Sequence, residues 1–122
     1  MLQHVTLEVR PDQVRDCVRF WELLGFTELE PPPILRDRFT WIGKDDTHIH
    51  LVPVEQPAVP VEGHTAVHAS DAERMVATLR EAGFDPQPGS NAWNAPRWFV
   101  LDPAGHRVEV MSAPPPSEPV RA

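Results

Sequence analysis

Histidine is the side chain most often found on divalent metals, and four of the six histidines in this 122-residue chain fall in two short runs. These are Thr47-His48-Ile49-His50-Leu51 and His64-Thr65-Ala66-Val67-His68. Side chains switch faces at every residue of a strand, so each run puts two imidazoles on one face and its apolar residues on the other. His4 opens a third alternating run, His4-Val5-Thr6-Leu7-Glu8-Val9, and a fourth, His106 to Val110, places Arg107 and Glu109 opposite Val108 and Val110. Four such strands in one curved sheet would gather imidazoles and a carboxylate on the polar face, a ligand set for a divalent metal. A sheet with one solvated face alternates in the same way with no function, so the spacing needs a second regularity beside it.

That regularity lies in the elements that carry the runs. Residues 3–9 read as a strand, broken by Arg10-Pro11-Asp12. From Asp12, the residues Val14, Cys17, Val18, Trp21 and Leu24 form one stripe of an amphipathic helix that Gly25 closes. Strands follow at 26–30, stopped by Pro31-Pro32-Pro33, at 37–42, and at 47–54 after a turn at 43–46. After a proline-spaced connector, 55–63, the order returns: a strand at 64–69, then a helix opened by a capping box from Ser70 to Glu73. The second helix carries the stripe Ala72, Met75, Val76, Leu79 and Ala82 and closes at Gly83. Strands at 84–87, 97–101 and 106–111 complete the series, the last two joined by the turn Asp102-Pro103-Ala104-Gly105.

The chain is thus a tandem repeat of β-α-β-β-β. His64 lies 60 residues after His4, Gly83 lies 58 after Gly25, and Glu109 lies 59 after His50. The predicted fold class is α+β, with two modules, 1–54 and 64–112, forming a curved mixed sheet with helices on its outer face. Residues 1–112 form one domain, and 113–122 form a mobile proline-rich tail. A twofold relation between modules brings His4 and His64, at the starts of first strands, together with His50 and Glu109, midway along fourth strands.

Composition excludes several other roles. The net charge is −7, with no basic stripe for nucleic acid. No stretch approaches the roughly 18 apolar residues of a membrane span, and the N-terminus has no secretory pattern, so the expectation is a soluble, cytoplasmic protein. The single cysteine, Cys17, sits in a helical apolar stripe and reads as a core residue.

The β-α-β-β-β repeat carries a further resemblance in His4-Val-Thr-Leu-Glu-Val9, Phe20-Trp-Glu-Leu-Leu-Gly-Phe26, Gly63-His-Thr-Ala-Val67 and, above all, Phe99-Val-Leu-Asp-Pro-Ala-Gly-His-Arg-Val-Glu109. Over residues 2–112 the chain resembles the vicinal oxygen chelate superfamily. That superfamily includes glyoxalase I, fosfomycin-resistance transferases, methylmalonyl-CoA epimerase, extradiol dioxygenases and metal-free bleomycin-resistance proteins. The resemblance implies metal ligands at His4, His50, His64 and Glu109, the residues already picked by the repeat. It implies one divalent ion, with Ni, Co, Zn, Fe and Mn all compatible with mixed imidazole and carboxylate ligation. The chain departs from individual members: bacterial glyoxalase I has a glutamate where His50 stands, and fosfomycin-resistance transferases have a tyrosine where Phe99 stands.

The expected function is a metal-dependent, glyoxalase-like enzyme acting on a small substrate with vicinal oxygens by proton transfer, lyase or isomerase chemistry. The alternatives are a metal-free binding protein of the bleomycin-resistance type and a dioxygenase. Glu109 is the candidate catalytic base, with Glu8 next. Thr6, Glu8, Trp41, His48, His68, Arg97 and Phe99 are candidate substrate contacts, and Trp93 a further pocket wall. The expected partners are a small-molecule substrate and a second copy of the chain, in a homodimer that exchanges modules, with neither nucleic acid nor membrane. The nine-residue connector supports exchange, because proline-rich backbone rises about 3.1 Å per residue and so reaches roughly 28 Å.

Overall fold

The computed structural model describes residues 1–121; Ala122, the last residue of the expected tail, lies outside the described residues. The first module runs β1 (His4–Val9), a 3-10 turn (Pro11–Gln13), α1 (Val14–Leu23), β2 (Thr27–Leu29), α2 (Pro33–Arg36), β3 (Thr40–Lys44) and β4 (Thr47–Pro53). The second runs β5 (His64–His68), α3 (Ala72–Glu81), β6 (Gln87–Pro88), β7 (Arg97–Leu101) and β8 (Arg107–Met111). The strands hydrogen-bond as two mixed sheets of four, ordered β1-β4-β3-β2 and β5-β8-β7-β6. In each, the first strand pairs parallel with the fourth while the others run antiparallel. The helix after the first strand therefore carries the chain to the far edge of its sheet.

Both long helices stop in the same way. Gly25 and Gly83 adopt φ of +91° and +95°. Phe26 N–H returns to Trp21 O and Phe84 N–H to Leu79 O, both at 3.0 Å. This is the left-handed glycine closure that a residue with a Cβ resists. The stripe of α1 is buried as its spacing requires: Cys17, Trp21 and Leu24 are at most 1% exposed. Phe20, outside the predicted stripe, is also fully buried. In α3, Ala72, Val76 and Leu79 are buried while Ala82 is exposed.

Several boundaries differ from expectation. The α3 cap is Asp71, whose side chain accepts from Arg74 N–H, so the capping box from Ser70 does not form. The proline run that ends β2 starts a short helix, because proline at a first helical position sacrifices no needed donor. β3 begins at Thr40, after that helix. β6 is only Gln87–Pro88, since proline cannot extend a ladder. His106 precedes β8 instead of starting it.

Two compact units result: Met1–Val61 with Asp102–His106, and Glu62–Leu101 with the described residues from Arg107 on. The turn joining β7 and β8 thus belongs to the first unit, where Asp102 Oδ1 accepts from Ala104 and His106 N–H at 2.9 and 2.8 Å, and His106 Nε2 donates to Glu8 O at 2.7 Å. Burial there raises the Asp102 pKa, against the pull of His106 and its backbone donors. Burial, with Asp102 nearby, likewise pushes the Cys17 thiol up to about 12. Cys17 is therefore an inert core thiol at neutral pH. Residues 113–121 carry no helix or strand. Among the described residues, no helix is long and apolar enough to cross a membrane.

Candidate functional site

The four expected ligands divide two and two between the units. In the first, the parallel register sets His4 beside His48 and Thr6 beside His50, while β3 sets Trp41 beside His50. The result is a stack: the His50 ring lies 4.3 Å from Trp41 at 5° and 4.2 Å from His4 at 18°. His48 joins through Nδ1, 3.2 Å from His50 Nε2, so one of these imidazoles donates to the other. Gly43 makes room: a Cβ there would come within 2.6 Å of Leu29 Cδ1 and 3.0 Å of His48 Cδ2. His50 is 7% exposed. Its pKa falls to about 4, through burial first and then the neighbouring His4 and His48, which keeps it in the neutral form that ligates metals.

The His4 tautomer follows from its neighbour. Gln3 Nε2 donates to Asp46 O at 3.1 Å, which turns Gln3 Oε1 toward His4 Nδ1 at 2.8 Å. Nδ1 is then the protonated nitrogen, and Nε2 keeps its lone pair.

In the second unit, Ala66 and Phe99 flank Glu109 in the sheet. Glu109 is 4% exposed. Arg97 Nη1 donates to its Oε2 at 3.2 Å, and His64 Nε2 lies 3.0 Å from its Oε1. His64 Nδ1 is 2.9 Å from Glu62 O, which can only accept, so that nitrogen carries the proton. The other nitrogen and the carboxylate oxygen therefore face each other as two lone-pair groups, and a proton or a cation must satisfy both. Arg97 is held in turn by Ser90, through Nε to the carbonyl at 3.0 Å and Nη2 to Oγ at 2.7 Å. Its guanidinium also lies 4.9 Å from the Trp93 ring and 5.1 Å from Phe99. Phe99 meets His64 edge to face at 5.3 Å. Gly89 likewise makes room, since a Cβ there would reach Phe99 Cε2 at 2.9 Å and Arg97 Cγ at 3.2 Å.

Among the described residues, no three His, Cys, Asp or Glu side chains are gathered into a group that could hold a metal ion. The donor chemistry of each pair nevertheless fits one: a neutral buried imidazole, two imidazoles with Nδ1 tied to an oxygen, and a carboxylate oxygen beside an imidazole lone pair. Of the expected substrate contacts, Trp41, His48, Arg97 and Phe99 surround these ligands. Thr6 and His68 are exposed on β1 and β5, with His68 opposite Met111. Glu8 is committed elsewhere, its Oε1 accepting from Ala58 N–H of the connector at 2.9 Å. Gln3, Glu62 and Ser90 were not legible as site residues. The first two stand one and two residues before a histidine that opens a strand, the natural place for an orienting partner, whereas Ser90 lies in a loop that carries no such signal.

The sheet order and the repeated modules define a two-module β-α-β-β-β protein. The sequence matches the Glyoxalase/Bleomycin resistance protein/Dioxygenase superfamily over residues 2–110, and the chain belongs to that superfamily. The fold is similar to that of a glyoxalase family protein from Bacillus anthracis, with TM-score 0.83 and 21% identity over 91% of this chain and 93% of that one. It is similar to fosfomycin resistance protein FosX from Mesorhizobium loti, with TM-score 0.73 and 19% identity over 93% and 92% of the two chains. It is also similar to lactoylglutathione lyase from Agrobacterium tumefaciens, with TM-score 0.70 and 12% identity over 91% and 92%. No curated protein sequence matches.

Proposed function

We propose that the chain is a metal-dependent, glyoxalase-like enzyme acting on a small substrate with vicinal oxygens by proton transfer, lyase or isomerase chemistry. The observation that carries this reading is the second-unit pair: a histidine whose Nδ1 is bound to a carbonyl presents Nε2 to a buried carboxylate oxygen at 3.0 Å. His4, His50, His64 and Glu109 would hold one divalent ion. When bound, such an ion supplies Lewis-acid stabilisation of negative charge developing on substrate oxygens. The chain's own residues do the rest. Gln3 and Glu62 fix the tautomers of His4 and His64. Arg97 engages Glu109 Oε2, so Oε1, the oxygen that faces His64 Nε2, is the atom that would either meet the ion or take a proton. Trp41 covers one face of the His50 ring. FosX and lactoylglutathione lyase, named for resistance and lyase roles, support this class of activity without selecting a substrate.

The test is metal analysis of protein purified without added metal, followed by titration with Ni, Co, Zn, Fe(II) and Mn(II). One ion should bind tightly per chain. His64→Ala and Glu109→Ala should abolish that binding, while His106→Ala, which removes the bond to Glu8 O, should lose stability and keep the ion. Equal loss in all three, with folding verified, would sink the ligand assignment, and the metal-free binding alternative would then take its place.

A further inference from the structure

Arg107 is placed unlike the arginines that close short ion pairs. Arg10, Arg15, Arg19, Arg36 and Arg97 each reach a carboxylate at 2.6 to 3.2 Å. Arg107 Nη1 instead lies 3.9 Å from Glu62, a side chain 91% exposed, while its own side chain is only 29% exposed. What holds it is an aromatic face: the guanidinium carbon is 4.0 Å from the centre of the Phe99 ring. A guanidinium stacked on a ring keeps its N–H donors pointing outward in its own plane, ready for an anion that can accept two of them. The charge is thus preorganised and only loosely neutralised.

Its position ties it to the candidate ligands. Arg107 is the Cα partner of His64 on one side and of Leu101 on the other. It precedes Glu109 by two residues on β8, so by strand parity the two side chains share a face. A cavity of about 450 Å³ is lined by Arg107, Phe99, Leu101, Phe84 and Gln87. Asp85 also lines it, but its carboxylate accepts from Gln87 Nε2 at 2.7 Å. The volume lies within the roughly 300–1,000 Å³ range of small-molecule pockets, and Arg107 is the one cation in a mostly apolar lining that also holds the Asp85 carboxylate.

We propose that Arg107 is an oxyanion anchor: it binds a carboxylate or phosphonate group of a small ligand whose apolar portion lies along Phe99, Leu101 and Phe84. This deepens the enzymatic reading and rests on it only in treating the anion as part of the substrate; the anchor itself needs no metal. It specifies a substrate that carries an anionic group in addition to its vicinal oxygens.

The experiment uses the full chain, freed of metal by chelation, with benzoate and phenylphosphonate as probes and benzamide as the neutral isostere of benzoate. Binding is followed by NMR titration. At least one of the two anions should bind more tightly than benzamide, with shifts at Phe99, Leu101 and Arg107. Arg107→Gln should weaken that anion about tenfold or more and leave benzamide unchanged, the loss expected of a charge-assisted bidentate contact. The preferred probe tells a planar carboxylate site from a tetrahedral phosphonate site. In case Arg107→Gln does not fold, wild-type protein is titrated in increasing salt, which should weaken the anion and not benzamide. Anions that bind no better than benzamide, or with the same affinity in folded Arg107→Gln, would overturn the anchor. So would loss of anion binding in His64→Ala with retention in Arg107→Gln, which would place the anion on the histidine. Anion binding in a protein that takes up no metal would keep the anchor and remove the metal-dependent reading, so the two proposals fail separately.

Discussion

Glu109 is a buried carboxylate with one permanent cation beside it, and the balance between burial and that cation decides what the residue can do. Alternation and the repeat place it on the polar face of β8, at the position equivalent to that of His50 in the first module, and so its candidacy as a ligand was legible from spacing. Its dependence on Arg97 was not. Arg97 faces Met111 in the register, two places away, and reaches Glu109 diagonally while Ser90 and Trp93, from an irregular loop, hold its other nitrogens and its flat face. No periodicity encodes a loop closing over a strand. With the Arg97 side chain 14% exposed and that of Glu109 5%, Arg97→Ala strands a buried charge, and unfolding stability should fall by about 3 kcal/mol. Adding Glu109→Gln to Arg97→Ala should recover most of the loss, because an amide costs far less to bury unpaired than a carboxylate. A urea-melt double-mutant cycle measures the coupling; losses that simply add would show that the two residues stabilise the sheet independently.

At the scale of elements, the strong signals were those with a single physical meaning. An apolar stripe ended by glycine gave both long helices, and strict alternation gave β1, β4, β5 and β8. Signals with two meanings were misread. Pro31-Pro32-Pro33 ends one strand and also begins α2, and Ser70-Asp71 offers two neighbouring caps of which the second is used. Asp102-Pro103-Ala104-Gly105 was legible as a turn, but its role as part of the first unit was not, because that depends on His106 Nε2 reaching Glu8 O across 98 positions of sequence. The carboxylate of Asp102 organises this turn with Oδ1 alone, and its buried Oδ2 has no hydrogen-bond partner. Asp102→Ala leaves two backbone donors without their acceptor and should cost about 2 kcal/mol. Asp102→Asn keeps the accepting oxygen and removes a buried charge, so its urea midpoint should stay within about 1 kcal/mol of wild type. Equal destabilisation by the two changes would mean that the charge, not the acceptor geometry, holds the turn.

For the whole molecule, the repeat told how many modules there are and not how copies of the chain share them. Each unit supplies two of the four proposed ligands, His4 and His50 from one, His64 and Glu109 from the other. We propose a twofold homodimer in which each site joins the first module of one chain to the second module of its partner. The connector is compatible with this: it is rich in proline and exposed over most of its length, with Ala58 N–H bound to Glu8. Its span of roughly 28 Å does not require the modules of one chain to close on each other. The discriminating experiment mixes His4→Ala with Glu109→Ala, each unable to hold the ion alone, and measures metal bound after subunit exchange. In an exchanged dimer the mixed species carries both lesions in one site and neither in the other. Random pairing at equal amounts makes half of the dimers mixed, so about one quarter of all sites should recover. If each site lies within a chain, every site keeps one lesion and no mixing ratio restores binding. Sedimentation of the wild-type chain as a monomer at micromolar concentration would remove the dimer altogether, whatever the mixtures bind.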